Sequence, residues 1–286
     1  MIEINDVTFN YKNSAEPALK NLSLSIREGE FVGIIGTSGA GKTTLTFLLN
    51  GIIPHEFQGD FYGSVRVNGL DTVDNPPEAF CLTVGEVFQD IDSQMVASVV
   101  EDEILFGLEN FGVPHDEIEQ KLQKVLRELG IENLRTREIA SLSGGQKQKV
   151  AIASILALEP RLIVLDEPTG ELDPQSSREI YELLRRLNRE KGITIVVVEQ
   201  KIMLLCEYVS RLVVFHKGEL VLDSLPRDVV SHTKLLKELG INLPRVSELA
   251  GRLMADGLYA GQTPLTVEEA RAMVEEVLIR GRDGKI

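Results

Sequence analysis

The 286-residue sequence has two cysteines, four histidines, fewer basic than acidic residues and no long apolar run. Cys81 and Cys206 lie far apart in apolar surroundings, which argues against a disulfide framework or a redox pair and leaves two small buried hydrophobes. His55, His115, His216 and His232 are scattered without a metal-ligand spacing, so no histidine-based metal site is expected. Thirty Lys and Arg against 44 Asp and Glu give a net charge of −14. That balance argues against a nucleic-acid surface, which needs clustered cations facing phosphates, and no nucleic-acid partner is expected. No segment approaches the roughly 20 apolar residues that span a bilayer, and MIEINDVTF lacks the basic and apolar regions of a secretion signal, so a cytosolic chain is expected. The length, with 43% hydrophobic residues, suits one large α/β domain with a smaller appendage.

An acidic chain can still hold an anion, because charges beyond roughly 8–10 Å are damped in physiological salt and a locally positive pocket suffices. Residues 31–50, FVGIIGTSGAGKTTLTFLLN, read as a short apolar strand, a loop of small residues and a helix that Gly51 can end. The loop, Gly36, Thr37, Ser38, Gly39, Ala40, Gly41, Lys42, Thr43 and then Thr44, has the G-x-x-x-x-G-K-T spacing of a phosphate-binding loop. Glycines let successive backbone N–H groups converge on phosphate oxygens, Lys42 meets the outer phosphates, and the Thr43 hydroxyl ligates Mg²⁺. Residues 161–168, RLIVLDEP, add a buried strand ending in two carboxylates: Asp166 to hold Mg²⁺ through its water shell and Glu167 to polarise an attacking water. Between these, LSGGQ (Leu142, Ser143, Gly144, Gly145, Gln146) opens a helix that Ser143 can cap, with a positive dipole end free to face an anion.

The order and spacing of these motifs, from Tyr11 to about Gly218, resemble the nucleotide-binding subunit of ATP-binding cassette (ABC) transporters, whose signature is LSGGQ. The resemblance implies ATP and Mg²⁺ as cofactors and a second ABC ATPase subunit as partner. By the same resemblance Tyr11 in FNYK stacks on adenine, Gln89 in VFQD senses Mg²⁺ and the γ-phosphate, and Asp173 in GELDPQ crosses to the partner, although Asp173-Pro174 is also a good helix start. The family's next strand ends in a histidine that contacts the γ-phosphate. Here TIVVVEQK puts Gln200 in its place, and a glutamine donates a hydrogen bond but carries no proton or charge. The segment VFQDIDSQMVASVVEDEILFG resembles ATPases of energy-coupling-factor (ECF) importers of vitamins and transition metals. Asp90, Asp92, Glu101, Asp102 and Glu103 make it acidic around an apolar set, and the resemblance implies a groove there for coupling helices of the membrane-embedded T component, with a substrate-binding S component beyond.

The expected fold is an α/β P-loop NTPase with an antiparallel β subdomain from VTFNYK, LSLSI and SVRV, and a helical subdomain over about residues 88–158. Helices are expected at 115–129, stopped by Gly130, and from Pro174 to Lys191, capped by Asp173 and ended by Gly192. The nucleotide-binding domain covers residues 1–228. A helical segment over 229–286 aligns Val246, Leu249, Ala250 and Leu253, then opens a second helix with a Thr266–Glu269 capping box before Val267, Ala270, Val274 and Val277. In ECF ATPases a similar segment joins the two ATPase subunits. The reading is an ATPase at the cytoplasmic face of a membrane, with a heterodimer favoured over a homodimer because Gln200 would weaken both sites of the latter. A regulatory half-site that barely hydrolyses ATP and a soluble ABC protein outside transport stand as alternatives.

Overall fold

In the computed structural model, residues 1–282 are described. One sheet is antiparallel, in the order β2-β1-β4-β5, built from β1 (Ile2–Tyr11), β2 (Leu19–Ile26), β4 (Gly59–Val67) and β5 (Leu70–Asp71). The other runs β10-β9-β3-β8-β7-β6 and contains β3 (Phe31–Gly36), β6 (Val84–Val87), β7 (Leu162–Asp166), β8 (Thr194–Glu199), β9 (Arg211–His216) and β10 (Glu219–Ser224). All its pairings are parallel except β9 with β10. Strand β8 explains its own unbroken apolar run: Ile195 and Val197 enter the core on one face of the sheet, Val196 and Val198 the core on the other.

Helix α1 (Lys42–Leu49) follows β3, and the short α2 (Ile52–His55) and α3 (Ile91–Gln94) lie before α4 (Val100–Asn110), α5 (His115–Leu129) and α6 (Gly144–Leu156). In α5 the residues at helical spacing, Ile118, Leu122, Val125, Leu126 and Leu129, are all buried, and Gly130 ends the helix at φ 66°. Helix α7 (Pro174–Lys191) has the expected limits: the Asp173 carboxylate accepts from the N–H groups of Gln175 (2.9 Å) and Ser176 (3.0 Å), and Gly192 stops it at φ 69°. The α4–α6 core is continuous with one face of the parallel sheet, and α1 and the antiparallel sheet cover the other face.

Helix α8 (Ile202–Tyr208) precedes β9, and after β10 the helices α9 (Pro226–Ser231), α10 (Thr233–Glu238), α11 (Arg245–Ala255) and α12 (Val267–Arg282) close the described chain. Val229, Val230, Leu236, Ile241 and Leu243 still belong to the main core, whereas Ala250, Ala270 and Met273 form a small core between α11 and α12. Two details of this segment differ from expectation. Leu249 and Val267 are 40% and 64% exposed rather than packed. The Glu269 N–H does donate to Thr266 Oγ1 (3.2 Å), but its carboxylate accepts from Leu265 N–H (2.8 Å) and pairs with Arg227, so the reciprocal arm of the capping box lands one residue early.

The acidic segment spends most of its carboxylates locally. Glu103 is buried and accepts from the N–H groups of Val96 and Ala97, both at 2.8 Å. Glu101 pairs with Arg135 (2.7 Å), Asp92 with Lys147 (2.6 Å), and Asp90 caps α3 through Ser93. Four of the five carboxylates thus serve the subdomain's own loops and helices, and a charge count overstates the field they present outward. Among the described residues no helix is long and apolar enough to cross a membrane.

Candidate active site

Strands β3, β8, β7 and β6 are neighbours, so the residues at their carboxyl ends fall in one row: the glycine loop, Gln200, Asp166 with Glu167, and Gln89. The loop needs its glycines where the backbone turns left-handed, and at Gly41 (φ 98°) a Cβ would lie 2.4 Å from the Ala18 carbonyl oxygen. Lys42 opens α1, is buried, and donates to the carbonyls of Gly36 (2.8 Å) and Thr37 (3.1 Å). Burial lowers its pKa, and Glu167, Asp166 and Glu199 oppose that shift.

The Thr43 hydroxyl donates to Asp166 Oδ2 at 2.6 Å. Asp166 Oδ1 is buried with no hydrogen-bond partner among the described residues. Burial raises the pKa of this carboxyl, and the Thr43 bond pulls it back. Glu167 adopts φ 50° and donates its backbone N–H to Val198 O (2.8 Å). Its two carboxylate oxygens are each met by an amide: Gln200 Nε2 donates to Oε1 at 2.7 Å, and Gln89 Nε2 reaches Oε2 at 3.5 Å, the outer limit of a hydrogen bond. Ser38, Gly39, Gly41, Lys42, Thr43, Thr44, Gln89, Glu167 and Gln200 line one cavity of about 360 Å³. A wider groove of about 850 Å³ runs along α7 and holds none of these groups.

Tyr11 stands beside this cavity, its hydroxyl 3.1 Å from Thr44 Oγ1 and its ring edge-on to Phe9 and Phe57. Leu142 and Gly144 of the signature line a neighbouring cavity of about 490 Å³ with Asp90, Asp92, Pro168 and the residues 170–172, and Gln89 and Glu167 line both cavities. There Ser143 Oγ accepts from Gln146 N–H (3.4 Å) and Gln146 Oε1 accepts from Ser143 N–H (3.0 Å), a capping box that occupies the Gln146 side chain. The signature glycines do more than bare the helix end, since a Cβ on Gly145 would meet Ser176 at 3.0 Å and one on Gly144 would meet Leu172 at 3.1 Å. Asp173 spends its carboxylate on α7 at an exposed position.

One buried group escaped the sequence reading. Glu86 on β6 accepts from Asn50 Nδ2 with Oε2, and its buried Oε1 has no hydrogen-bond partner among the described residues. Its signal was a charge inside a four-residue strand that is otherwise apolar and buried. Burial pushes its pKa up from 4.5 to about 7. Between those values the folded chain binds the proton more tightly than the unfolded chain, so this group's contribution to stability declines as pH rises toward and through about 7. Glu86→Gln keeps an oxygen for Asn50 and cannot ionise. It is expected to gain about 1–3 kcal/mol at pH 8 and much less at pH 5, checked by denaturant unfolding at both values. Equal effects at the two pH values would refute the ionisation argument.

Comparison with known proteins places this geometry. The ABC transporter family profile matches residues 19–170. The chain is 40% identical over 282 residues to a putative ABC transporter ATP-binding protein of Pyrococcus horikoshii, covering 99% of both. It is 38% identical over 273 residues to an energy-coupling factor transporter ATP-binding protein of Clostridioides difficile, covering 94% of this chain and 96% of that protein. A similar protein of Methanosarcina acetivorans is 42% identical over 274 residues, and there the chain spans only 42% of the relative's length. Among solved structures, cbiO1 of Clostridium perfringens, part of the ABC transporter complex cbiONQ, superposes with a TM-score of 0.74 at 32% identity, covering 87% of this chain and 97% of that one. An ATP-binding cassette solved as a post-hydrolysis dimer with ADP and Pi gives 0.69 at 30% identity, covering 79% and 99%. The chain belongs to the ABC transporter family and is one of its ATP-binding, ATP-hydrolysing subunits.

Proposed function

We propose that this chain hydrolyses MgATP in a dimer of ATPase subunits to energise a membrane importer of the energy-coupling-factor type, seated at the cytoplasmic face against a T and an S component. The observation that carries the catalytic part is the continuous row from Lys42 through Thr43, Asp166 and Glu167 to Gln200 at the ends of adjacent strands. The importer class rests on the likeness to the energy-coupling factor protein and to cbiO1. Exposed Val96 and Phe106, within the apolar set of the acidic segment, offer the helical subdomain an apolar contact for the T component.

The residues fit Mg²⁺: a hydroxyl and a carboxylate share one edge, and Asp166 has an oxygen to spare for the ion's water shell. Bound there, the ion would neutralise phosphate charge. Lys42 meets the outer phosphates, and Tyr11 closes the adenine side. Glu167 accepts the proton of the attacking water while Gln200 and Gln89 hold its carboxylate in place. Ser143 and the signature, none of which lines the glycine-loop cavity, serve the partner's nucleotide, with Asp173 at the same interface.

Gln200 decides between a fully active site and a regulatory half-site. Its amide already donates to Glu167 at 2.7 Å, which supplies orientation but no positive charge toward the γ-phosphate. Gln200→His is expected to raise turnover at this chain's own site by roughly 10- to 100-fold, the scale of one transition-state contact. The measurement is ATP hydrolysis by both forms, alone and with candidate His-bearing partners. Stimulation by such a partner would support the heterodimer, and equal, brisk hydrolysis by the two isolated forms would remove the case for a weakened site.

A further inference from the structure

Strand β8 ends at Glu199, the polar residues Gln200 and Lys201 follow it directly, and all three turn toward one segment, residues 167–170. Gln200 takes the Glu167 carboxylate. Glu199, only 1% exposed, accepts from the Thr169 hydroxyl (2.5 Å) and the Thr169 N–H (3.2 Å) through Oε1, while its Oε2 accepts from Gln200 N–H (3.3 Å). Lys201 Nζ donates to the carbonyls of Thr169 (3.1 Å) and Gly170 (3.0 Å). Thr169 is thereby held at its N–H, its hydroxyl and its carbonyl by the two residues that flank Gln200 in sequence.

The segment so held has work on both sides. Two residues before Thr169 stands Glu167, in the left-handed region at φ 50°, a conformation that an L-residue keeps only when its surroundings enforce it. A few residues after it come Leu172 and Ser176, against which the signature glycines pack. A carboxylate removed from water at Glu199 is costly unless its bonds are specific, and here every bond it makes is to this segment or to the adjoining backbone.

We propose that Glu199 and Lys201 are positioning residues for hydrolysis: a two-sided clamp on Thr169–Gly170 that fixes the Glu167 carboxylate over the glycine loop and keeps the following segment seated against the signature. The proposal rests on the reading of Glu167 as the group that accepts the proton from water. Neither clamp residue touches the reacting atoms, and Lys201 bonds only to the Thr169 and Gly170 carbonyls, so its loss governs turnover and leaves nucleotide affinity alone, whereas Glu199 is also one of the charges around Lys42.

The test uses the full chain with and without its partner ATPase, in four variants: Lys201→Met, Lys201→Arg, Glu199→Ala and Glu199→Gln. Lys201→Met is expected to lower kcat roughly tenfold or more with KM within about twofold, Glu199→Ala to lower kcat by as much, and both to speed amide exchange at residues 169–173 selectively. Lys201→Arg keeps a donor for the two carbonyls and Glu199→Gln keeps an acceptor for Thr169, and both are expected to recover most of the rate. Unchanged kcat in Lys201→Met, a change confined to KM, or exchange that quickens across the whole core would overturn the clamp, as would conservative variants no better than the truncations. A parent chain that hydrolyses nothing under any condition would count against the hydrolytic reading instead, and the exchange measurement, which needs no turnover, would then decide the clamp by itself.

Discussion

Glu167→Gln is expected to bind MgATP as the parent does and to lose turnover by about 10²- to 10⁴-fold, the usual worth of a positioned general base. The substitution changes almost nothing else. Gln200 Nε2 donates to Oε1 at 2.7 Å, and the new side chain can keep its oxygen there. The new amide nitrogen falls on the Gln89 side, where the existing contact is already 3.5 Å, so two donors meet only where the bond is weakest. The backbone is unaffected, because the Glu167 N–H still donates to Val198 O. What disappears is the capacity to accept a proton. The bound nucleotide then persists, and the ATP-bound dimer should accumulate, visible as a shift in size-exclusion volume that parent protein shows only transiently. Hydrolysis at the parental rate would move the base elsewhere, and Glu199 is a poor replacement because Thr169 and Gln200 already occupy both its oxygens.

How far the sequence foretold these contacts depended on their range. The glycine loop, the limits of α5 and α7, and the strand ends at Asp166 and Glu199 were legible because the information is local: a Gly at φ 66° or 69°, an aspartate two residues from the N–H it caps, an apolar run that stops. Partners of charged side chains were not. Glu103 reads as one more carboxylate in an acidic stretch, yet it folds back on the N–H groups of Val96 and Ala97. Thr169 and Glu199 are 30 residues apart in sequence and meet only because β7 and β8 are neighbours. The C-terminal segment shows the same limit: Glu269 has the spacing of a capping box, but Arg227, 42 residues upstream, competes for its carboxylate. Periodicity and caps are written along the chain, whereas ion pairs and buried carboxylates are set by which strands and helices come to lie side by side.

Lys42→Ala is expected to weaken MgATP binding by about 10²- to 10³-fold, the scale of removing one partner from a largely buried charge contact. Its ammonium has two duties. It donates to the carbonyls of Gly36 and Thr37, holding the first turn of the loop so that the following N–H groups face one point. It is also the cation set among Asp166, Glu167 and Glu199, whose charges keep its pKa from falling as far as burial alone would take it. Alanine removes both. The cavity that should receive a polyanion would then present the carboxylates without their counter-charge, in a chain whose net charge is already −14. Lys42→Arg separates the duties: it restores the positive charge, but the larger planar guanidinium does not fit the buried site from which the compact ammonium reaches the two loop carbonyls. An intermediate loss in the arginine variant would assign affinity to charge and loop shape together, and a loss as deep as alanine's would assign it to loop shape. Equilibrium binding of MgATP to the three proteins, measured at two salt concentrations, separates these outcomes, and unchanged affinity in Lys42→Ala would overturn the phosphate-binding role of the loop.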